Sequence, residues 1–328
     1  MYGDIFAKAA SRMREPEVEE YFIKAIQRVM PKSYAQAKGE YVVTRRMIEN
    51  FGGDNPRFTF KGFSVPGDHT GQISHGYRWP YGPVLVVAPF NFPLEIPALQ
   101  TLGALMAGNK VMMKSATKVS MVMEQFYRFL HDCGMPKTDL DMLQCPGRHI
   151  EQFLVDTPEV RLTQFTGSSG IANRLAKITN GKVKLEDAGF DWKVLGPDVQ
   201  DFDYVAWQCD QDAYAAGGQK CSATSILFAH ENWMEAGLIK SLKAQAAKRC
   251  LKDLTNSPVL SWNNKEIKAH IDAILEIPGA RLLFGGNPLT GHTIPSVYGA
   301  FEPTAVVIYF FIKFSIVCAI PGMWEPKI

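Results

Sequence analysis

A cysteine set in a glycine turn is the sharpest chemical feature of this sequence. Gly217-Gly218-Gln219-Lys220-Cys221-Ser222 precedes Ile226-Leu227-Phe228, an apolar run that reads as a strand. Glycines let a backbone pass close to a ligand and free the following amides as donors, so the pattern suits an exposed nucleophilic thiol. The competing reading is one more buried cysteine. Glu186 ends an apolar run in Lys184-Leu185-Glu186-Asp187-Ala188-Gly189. Partial burial there would raise its pKa toward neutrality and make it a general base; a capping or surface acid is the plain alternative. Asn91, between Phe90 and Phe92-Pro93, is placed to aim an amide donor at a developing oxyanion, or is an ordinary turn asparagine. Phe165-Thr166-Gly167-Ser168-Ser169-Gly170 falls between a strand and a helix, where free amides and the helix dipole attract phosphate. It lacks the GxGxxG register, and no Walker sequence occurs.

These residues need a frame, and the hydrophobic pattern supplies one. Residues 1–52 read as helices, with Phe22, Ile23, Ile26 and Val29 at helical spacing and Pro31 as punctuation. The turn-rich stretch after Gly52, including GQISHGYRW, suits hairpin strands. From Tyr81 onward strands alternate with helices. Val84–Val87 is a short all-apolar strand expected to be buried on both faces. A helix over Leu94–Met106, a strand at Val111–Met113 and a helix over Val119–Leu130 follow. Strands at Met142-Leu143, Arg161–Phe165 and Val183–Leu185 complete the series, with helices around Ile150–Val155 and after Gly170 between them. Such alternation argues for parallel βαβ units in a doubly wound sheet, which binds ligands at the carboxyl ends of its strands. Asn91, Lys114, Thr166–Ser169 and Glu186 all fall just after strands. Asp210 and Asp212 read as caps of the helix leading to the thiol.

The chain has 328 residues, 46% of them apolar, with 35 Lys+Arg against 33 Asp+Glu. Length and apolar content suit two ordinary domains, and the near-zero balance gives no bulk reason to bind nucleic acid or an acidic membrane. Small-molecule chemistry is the expectation. The six cysteines show no CxxC spacing, and no histidine pair has HExxH form, so no metal site and no disulfide framework are expected. Lys240–Lys252 reads as a solvated basic helix face. Ala305–Ile320 is apolar apart from Lys313 and Ser315 and too short for a spanning helix, which favours a buried or aggregation-prone strand.

Taken in order, PFNFP, MMKSAT, FTGSS, LEDAG and GGQKCS resemble the aldehyde dehydrogenase superfamily. SHGYRWPYGP, KLEDAGFDWKVLGPDV, YVAWQCDQDAYAAGGQKCSA and PSVYGAFEPTAV are similar to the plant-type 1-pyrroline-5-carboxylate dehydrogenases, mitochondrial enzymes of proline breakdown. The resemblance runs from about residue 1 to Val306. It implies an α/β fold with a Rossmann-type cofactor domain over residues 1–186 and an incomplete α/β catalytic domain over 187–328, with an atypical tail from about 307. It also implies that Cys221 is the nucleophile, Glu186 the base, and Asn91 with the Cys221 N–H the oxyanion hole. Lys114 would bind the adenosine ribose of NAD, Ser168 the pyrophosphate, with Phe90, Thr166 and Gly167 beside the cofactor and Ser222 on the substrate side. The implied reaction oxidises glutamate 5-semialdehyde to glutamate: the thiolate attacks the aldehyde, hydride passes to the nicotinamide, and Glu186 activates water against the thioester.

Two departures concern the cofactor. Thr117 stands where many relatives carry a ribose-binding glutamate, and Ala172 replaces the last glycine of the phosphate turn. NAD remains the expected cofactor, with tolerance of NADP left open by the missing carboxylate. A third departure is length. The family's Glu-x-Phe-Gly-Pro element, oligomerisation segment and substrate-carboxylate loop are not in the sequence. The expectation is a chain truncated at both ends, mitochondrial by resemblance though without a visible presequence. A sheet stopped partway would leave an edge and an apolar face uncovered. The alternative is a truncated dehydrogenase with little turnover that acts as an interaction partner of full-length subunits.

Overall fold

The structure is a computed structural model that describes residues 1–51, 54–309 and 314–319. The chain divides into two compact units. Unit 1 comprises Met1–Met30 and Ala35–Asp187; unit 2 comprises Pro31–Tyr34 and Ala188 onward.

Unit 1 begins with helices α1 (Tyr2–Arg12), α2 (Pro16–Val29), α3 (Tyr34–Asn50) and α4 (Asp54–Thr59). Helix α2 starts with Pro16 in its first turn and ends near Arg28, each placed where the helix termini favour it. Its predicted stripe is real: Phe22, Ile23 and Ile26 are buried, and Phe22 packs edge-on against Phe126 and Phe129. Strands β1 (Phe63–Pro66) and β2 (Ile73–Gly76) form the expected antiparallel hairpin.

The rest of unit 1 alternates: β3 (Pro83–Val87), α5 (Glu95–Met106), β4 (Lys110–Lys114), α6 (Ser120–Asp132), β5 (Leu140–Met142), α7 (Gly147–Asp156), β6 (Leu162–Gly167), α8 (Ser169–Ile178) and β7 (Val183–Asp187). The five strands pair in the order β5-β4-β3-β6-β7, and every pairing is parallel. The central strand β3 buries Val84, Leu85 and Val86 completely, because helices cover both faces of a doubly wound sheet. From β3 the strands are added first toward β5 and then, from β6, toward β7, so strand order reverses between β3 and β6 and the crevice for a ligand opens where these two strands end.

Unit 2 contains β8 (Asp191–Leu195), α9 (Phe202–Tyr214), β9 (Thr224–His230), α10 (Glu231–Glu235), α11 (Leu238–Ala246), α12 (Asn264–Leu275), β10 (Arg281–Phe284), β11 (Ala305–Tyr309) and β12 (Phe314–Ala319). Its sheet order is β10-β11-β12-β9-β8; β8 and β9 are parallel, and the remaining pairings are antiparallel.

One expectation is corrected here. The apolar run from Ala305 forms two strands of a hairpin, not one; Lys313 and Ile320 lie outside the described residues. The expected uncovered edge is present at β8, where Trp192 and Val194 are exposed, whereas the slot beside β9 is filled. Strand β12 pairs with both β9 and β11 and sends Val317 into the unit's core with Leu227, Trp233, Leu242 and Val307. Any sequence with alternating apolar residues and no proline satisfies the backbone groups of such a slot.

Candidate active site

The residues expected around a cofactor stand at the carboxyl ends of the unit 1 strands. Asn91 lies in the loop between β3 and α5, buried to 2% exposure, and its Oδ1 accepts no hydrogen bond from the described residues. The loop is held at its base by Ala88, whose N–H donates to the Lys114 carbonyl at 3.0 Å. Phe90 in the same loop is half-buried. Lys114 ends β4 and is buried, with Nζ donating to the Ser115 carbonyl at 3.0 Å. Burial pushes its ammonium below the ordinary lysine value, and the nearby Cys145 opposes that shift. The adjacent Ser115 Oγ is buried without a partner.

Strand β6 delivers Thr166, whose Oγ1 accepts from Gln100 Nε2 at 2.8 Å. Gly167 follows, and a Cβ there would come within 2.6 Å of the Phe165 ring. Ser168 is the N-cap of α8 and makes no capping bond with its side chain. Thr166 pairs in register with Glu186 on β7. Ala172, the residue in place of the third glycine, is buried against Phe165 and Leu175 and so packs the helix on its sheet.

Glu186 is a surface residue in this structure, the plainer of its two sequence readings. Its partial burial is absent, because β7 is an edge strand whose last four residues are all exposed.

Cys221 and Ser222 belong to unit 2. The thiol is half-buried and Ser222 is exposed. Their turn is built by a short 3-10 segment, Ala215–Gly218, in which Ala216, Gly217 and Gly218 take positive φ of 56°, 65° and 71°. Gly217 is required on a second ground: a Cβ would lie 2.8 Å from the Ser257 carbonyl oxygen. Gln219, fully buried, locks the turn. Its Nε2 donates to the Ala216 and Pro258 carbonyls, both at 2.9 Å, and its Oε1 accepts from the Leu260 N–H at 2.7 Å. Beside the thiol, burial lowers the Lys220 pKa against the pull of Asp212.

Asp210 and Asp212 do not cap a helix. The N-cap of α9 is Asp201, and both acids lie in its last turns. Asp210 Oδ2 accepts from Arg249 Nη2 at 2.6 Å and Nε at 3.0 Å in a buried pair, and Asp212 pairs with Lys193 at 2.6 Å. A helix end packed inward must satisfy its charges internally, which pairing does better than capping.

The sequence reading missed Gln219, Ser115 and Gln100. A polar residue between a glycine pair and the reactive cysteine was the available signal for the first. A cavity of about 510 Å³ lined by residues including Trp79, Tyr81, Val84, Asn109 and Leu162 lies at the amino ends of the unit 1 strands, and none of the expected site residues line it. Among the described residues no cluster of His, Cys, Asp or Glu could hold a metal, none of the six cysteines is in a disulfide, and no helix is long and apolar enough to cross a membrane.

The Aldehyde dehydrogenase family model matches residues 3–307. The chain belongs to the aldehyde dehydrogenase family. It is 56% identical over 308 residues to the Delta-1-pyrroline-5-carboxylate dehydrogenase 12A1, mitochondrial, of Arabidopsis thaliana, covering 94% of this chain and 55% of that protein. The chain thus spans about half the length of the curated relatives it matches. Among solved structures it is similar to a succinate-semialdehyde dehydrogenase from Burkholderia pseudomallei, with TM-score 0.82 and 24% identity, covering 93% of this chain and 63% of that one. It is also similar to an NADP-dependent glyceraldehyde-3-phosphate dehydrogenase from Bacillus halodurans C-125 complexed with NADP, with TM-score 0.76, 25% identity and coverage of 93% and 63%.

Unit 1 fits a nicotinamide dinucleotide by its donor set. A buried ammonium with one carbonyl partner and an orphaned serine hydroxyl end β4, where ribose hydroxyls would find donor and acceptor. The N-terminus of α8, capped by no side chain of Ser168, presents backbone amides that suit a phosphate.

Proposed function

We propose that this chain oxidises L-glutamate 5-semialdehyde, the open form of 1-pyrroline-5-carboxylate, to glutamate with NAD, in proline breakdown and in mitochondria. The observation that carries the reading is 56% identity across 94% of the chain to a protein named for that activity and compartment.

In this reading unit 1 is the cofactor unit and unit 2 supplies the nucleophile. Lys114 and Ser168 would hold the adenosine ribose and the pyrophosphate, with Phe90, Thr166 and Gly167 beside them. Bound there, the nicotinamide would serve as hydride acceptor. The Cys221 thiolate forms the bond to the aldehyde carbon, and Asn91 with the Cys221 N–H donates to the oxygen that becomes negative. Glu186 takes a proton from the water that cleaves the thioester, releasing glutamate and the thiolate. Ser222, exposed beside the nucleophile, is a donor for the substrate. Thr117 is exposed and presents no carboxylate to a 2′-phosphate, so NADP is the second cofactor to try.

The test is NADH formation by the purified chain with glutamate semialdehyde and with short aliphatic aldehydes. Turnover lost in Cys221→Ser, and a preference for the carboxylate-bearing substrate, are the expected results. If the wild-type chain neither forms NADH nor gains protection of Cys221 from iodoacetamide on adding aldehyde, the reading is wrong. Nucleotide binding without turnover would instead support a partner role with longer subunits.

A further inference from the structure

A carboxylate far away in sequence accepts the first amides of the helix that follows the Asn91 loop. Glu40 lies on α3, where the buried positions Ala37, Tyr41, Thr44 and Ile48 mark the face turned to the core. A charged residue on that stripe is out of place unless something inside needs it. Its side chain is 3% exposed, and its Oε1 accepts two backbone hydrogen bonds, from Leu94 N–H at 2.8 Å and Glu95 N–H at 3.1 Å. These amides open α5, whose N-cap residue, Leu94, has no side-chain cap of its own. An N-cap leucine cannot accept the orphan N–H groups of a helix start, so the acceptor must come from elsewhere in the fold. Glu40 is that acceptor, and its negative charge also suits the positive end of the α5 dipole.

The loop from Ala88 to Pro93 is therefore pinned at both ends. Ala88 is tied to Lys114 on the sheet side, and Leu94 and Glu95 are tied to Glu40 on the helix side. Asn91 sits midway, buried, with Oδ1 receiving no hydrogen bond from the described residues. None of them holds the Asn91 amide in place by bonding to its side-chain oxygen, so its direction follows the path of the loop.

We infer that Glu40 is a positioning residue for the Asn91 amide, acting through the start of α5. This rests on the proposed role of Asn91 as oxyanion donor. Glu40 touches no reacting atom in that scheme.

The test uses the full chain as Glu40→Ala, Glu40→Gln and, as benchmark, Asn91→Ala. Two quantities are read: amide hydrogen exchange of the segment spanning residues 88–98, and the aldehyde concentration that protects Cys221 from iodoacetamide by forming the thiohemiacetal. Removing a helix cap should speed exchange at Leu94 and Glu95 by roughly tenfold. In Glu40→Ala the protecting aldehyde concentration should rise by about tenfold or more toward that of Asn91→Ala, since losing one oxyanion donor costs about a hundredfold or more in turnover. Glu40→Gln keeps a neutral acceptor and should stay within about threefold of wild type. It also keeps the test decisive if Glu40→Ala fails to fold. Unchanged exchange in Glu40→Ala overturns the capping role. Faster exchange with wild-type aldehyde protection overturns the positioning role and leaves a structural cap. If wild type shows no protection at all while exchange responds to Glu40→Ala, the failure lies in the proposed chemistry, and the positioning role falls with it.

Discussion

Replacing Gln219 with leucine is the most direct probe of how the Cys221 turn is held. Leucine preserves most of the buried volume but deletes three hydrogen bonds, two donated to the Ala216 and Pro258 carbonyls and one accepted from Leu260. A neutral hydrogen bond contributes about 1 kcal/mol net, and stripping a partner from a buried polar group costs about 1–3 kcal/mol. Three such losses, partly offset by the gain in apolar burial, give roughly 3 kcal/mol, or about a hundredfold in the unfolding equilibrium. For a unit of this size that is a fall of roughly 10 °C in Tm. Urea unfolding followed by tryptophan fluorescence reads it, since Trp233 is buried in the core of unit 2 with Nε1 donating to the Gly196 carbonyl. The same variant should carboxymethylate Cys221 several-fold faster, because the three hydrogen bonds of Gln219 are what hold the positive-φ backbone of Ala216–Gly218 to the Pro258 and Leu260 segment. Gln219→Glu keeps the acceptor but loses both donated bonds, and should be at least as unstable. A Gln219→Leu protein within about 0.5 kcal/mol of wild type, with unaltered alkylation kinetics, would refute the view that Gln219 locks the turn.

Two further outcomes follow from other parts of the molecule. Asp139 is held below the ordinary aspartate range, first by its hydrogen bond from Lys110 and next by that from Tyr2. A depressed carboxyl stabilises the fold above its unfolded pKa of about 3.9 and loses that contribution as pH falls through the lower, folded value. Acid unfolding of unit 1 should therefore be less steep below about pH 4 in Asp139→Asn than in wild type; equal slopes would contradict the pairing. Val317→Ala should destabilise unit 2 by about 2 kcal/mol, because Val317 is 4% exposed within its core. A loss under about 0.5 kcal/mol in urea would show that β12 does not occupy the slot beside β9.

Much of unit 1 was legible in the chain. Val84-Leu85-Val86 could only be a strand covered on both faces, and the helices starting at Glu95 and Ser120 announced themselves by apolar spacing, because a period of 3.6 or a short apolar run is a local property. Alternation then dictated a parallel sheet, and a parallel sheet dictated that Asn91, Lys114 and Thr166–Ser168 would gather at one end. The glycine pair before Cys221 likewise marked a tight turn, since few other residues tolerate its backbone angles.

What only the folded structure decided is who answers whom across long stretches of chain. The sequence left Glu186 as either a partly buried base or a surface acid, and it is exposed, because burial depends on which strand becomes the sheet edge. Asp210 was expected to cap a helix and instead meets Arg249, thirty-nine residues away. The tail from Ala305 looked like one strand and folds back as two, filling a slot defined by β9. Glu40 and Gln219 show the same principle at the candidate site: each is an unremarkable polar residue in the sequence, and each satisfies amides or carbonyls that no neighbour in the chain can reach. Periodicity is written residue by residue, whereas a buried hydrogen bond between distant segments exists only once packing has excluded water from both partners.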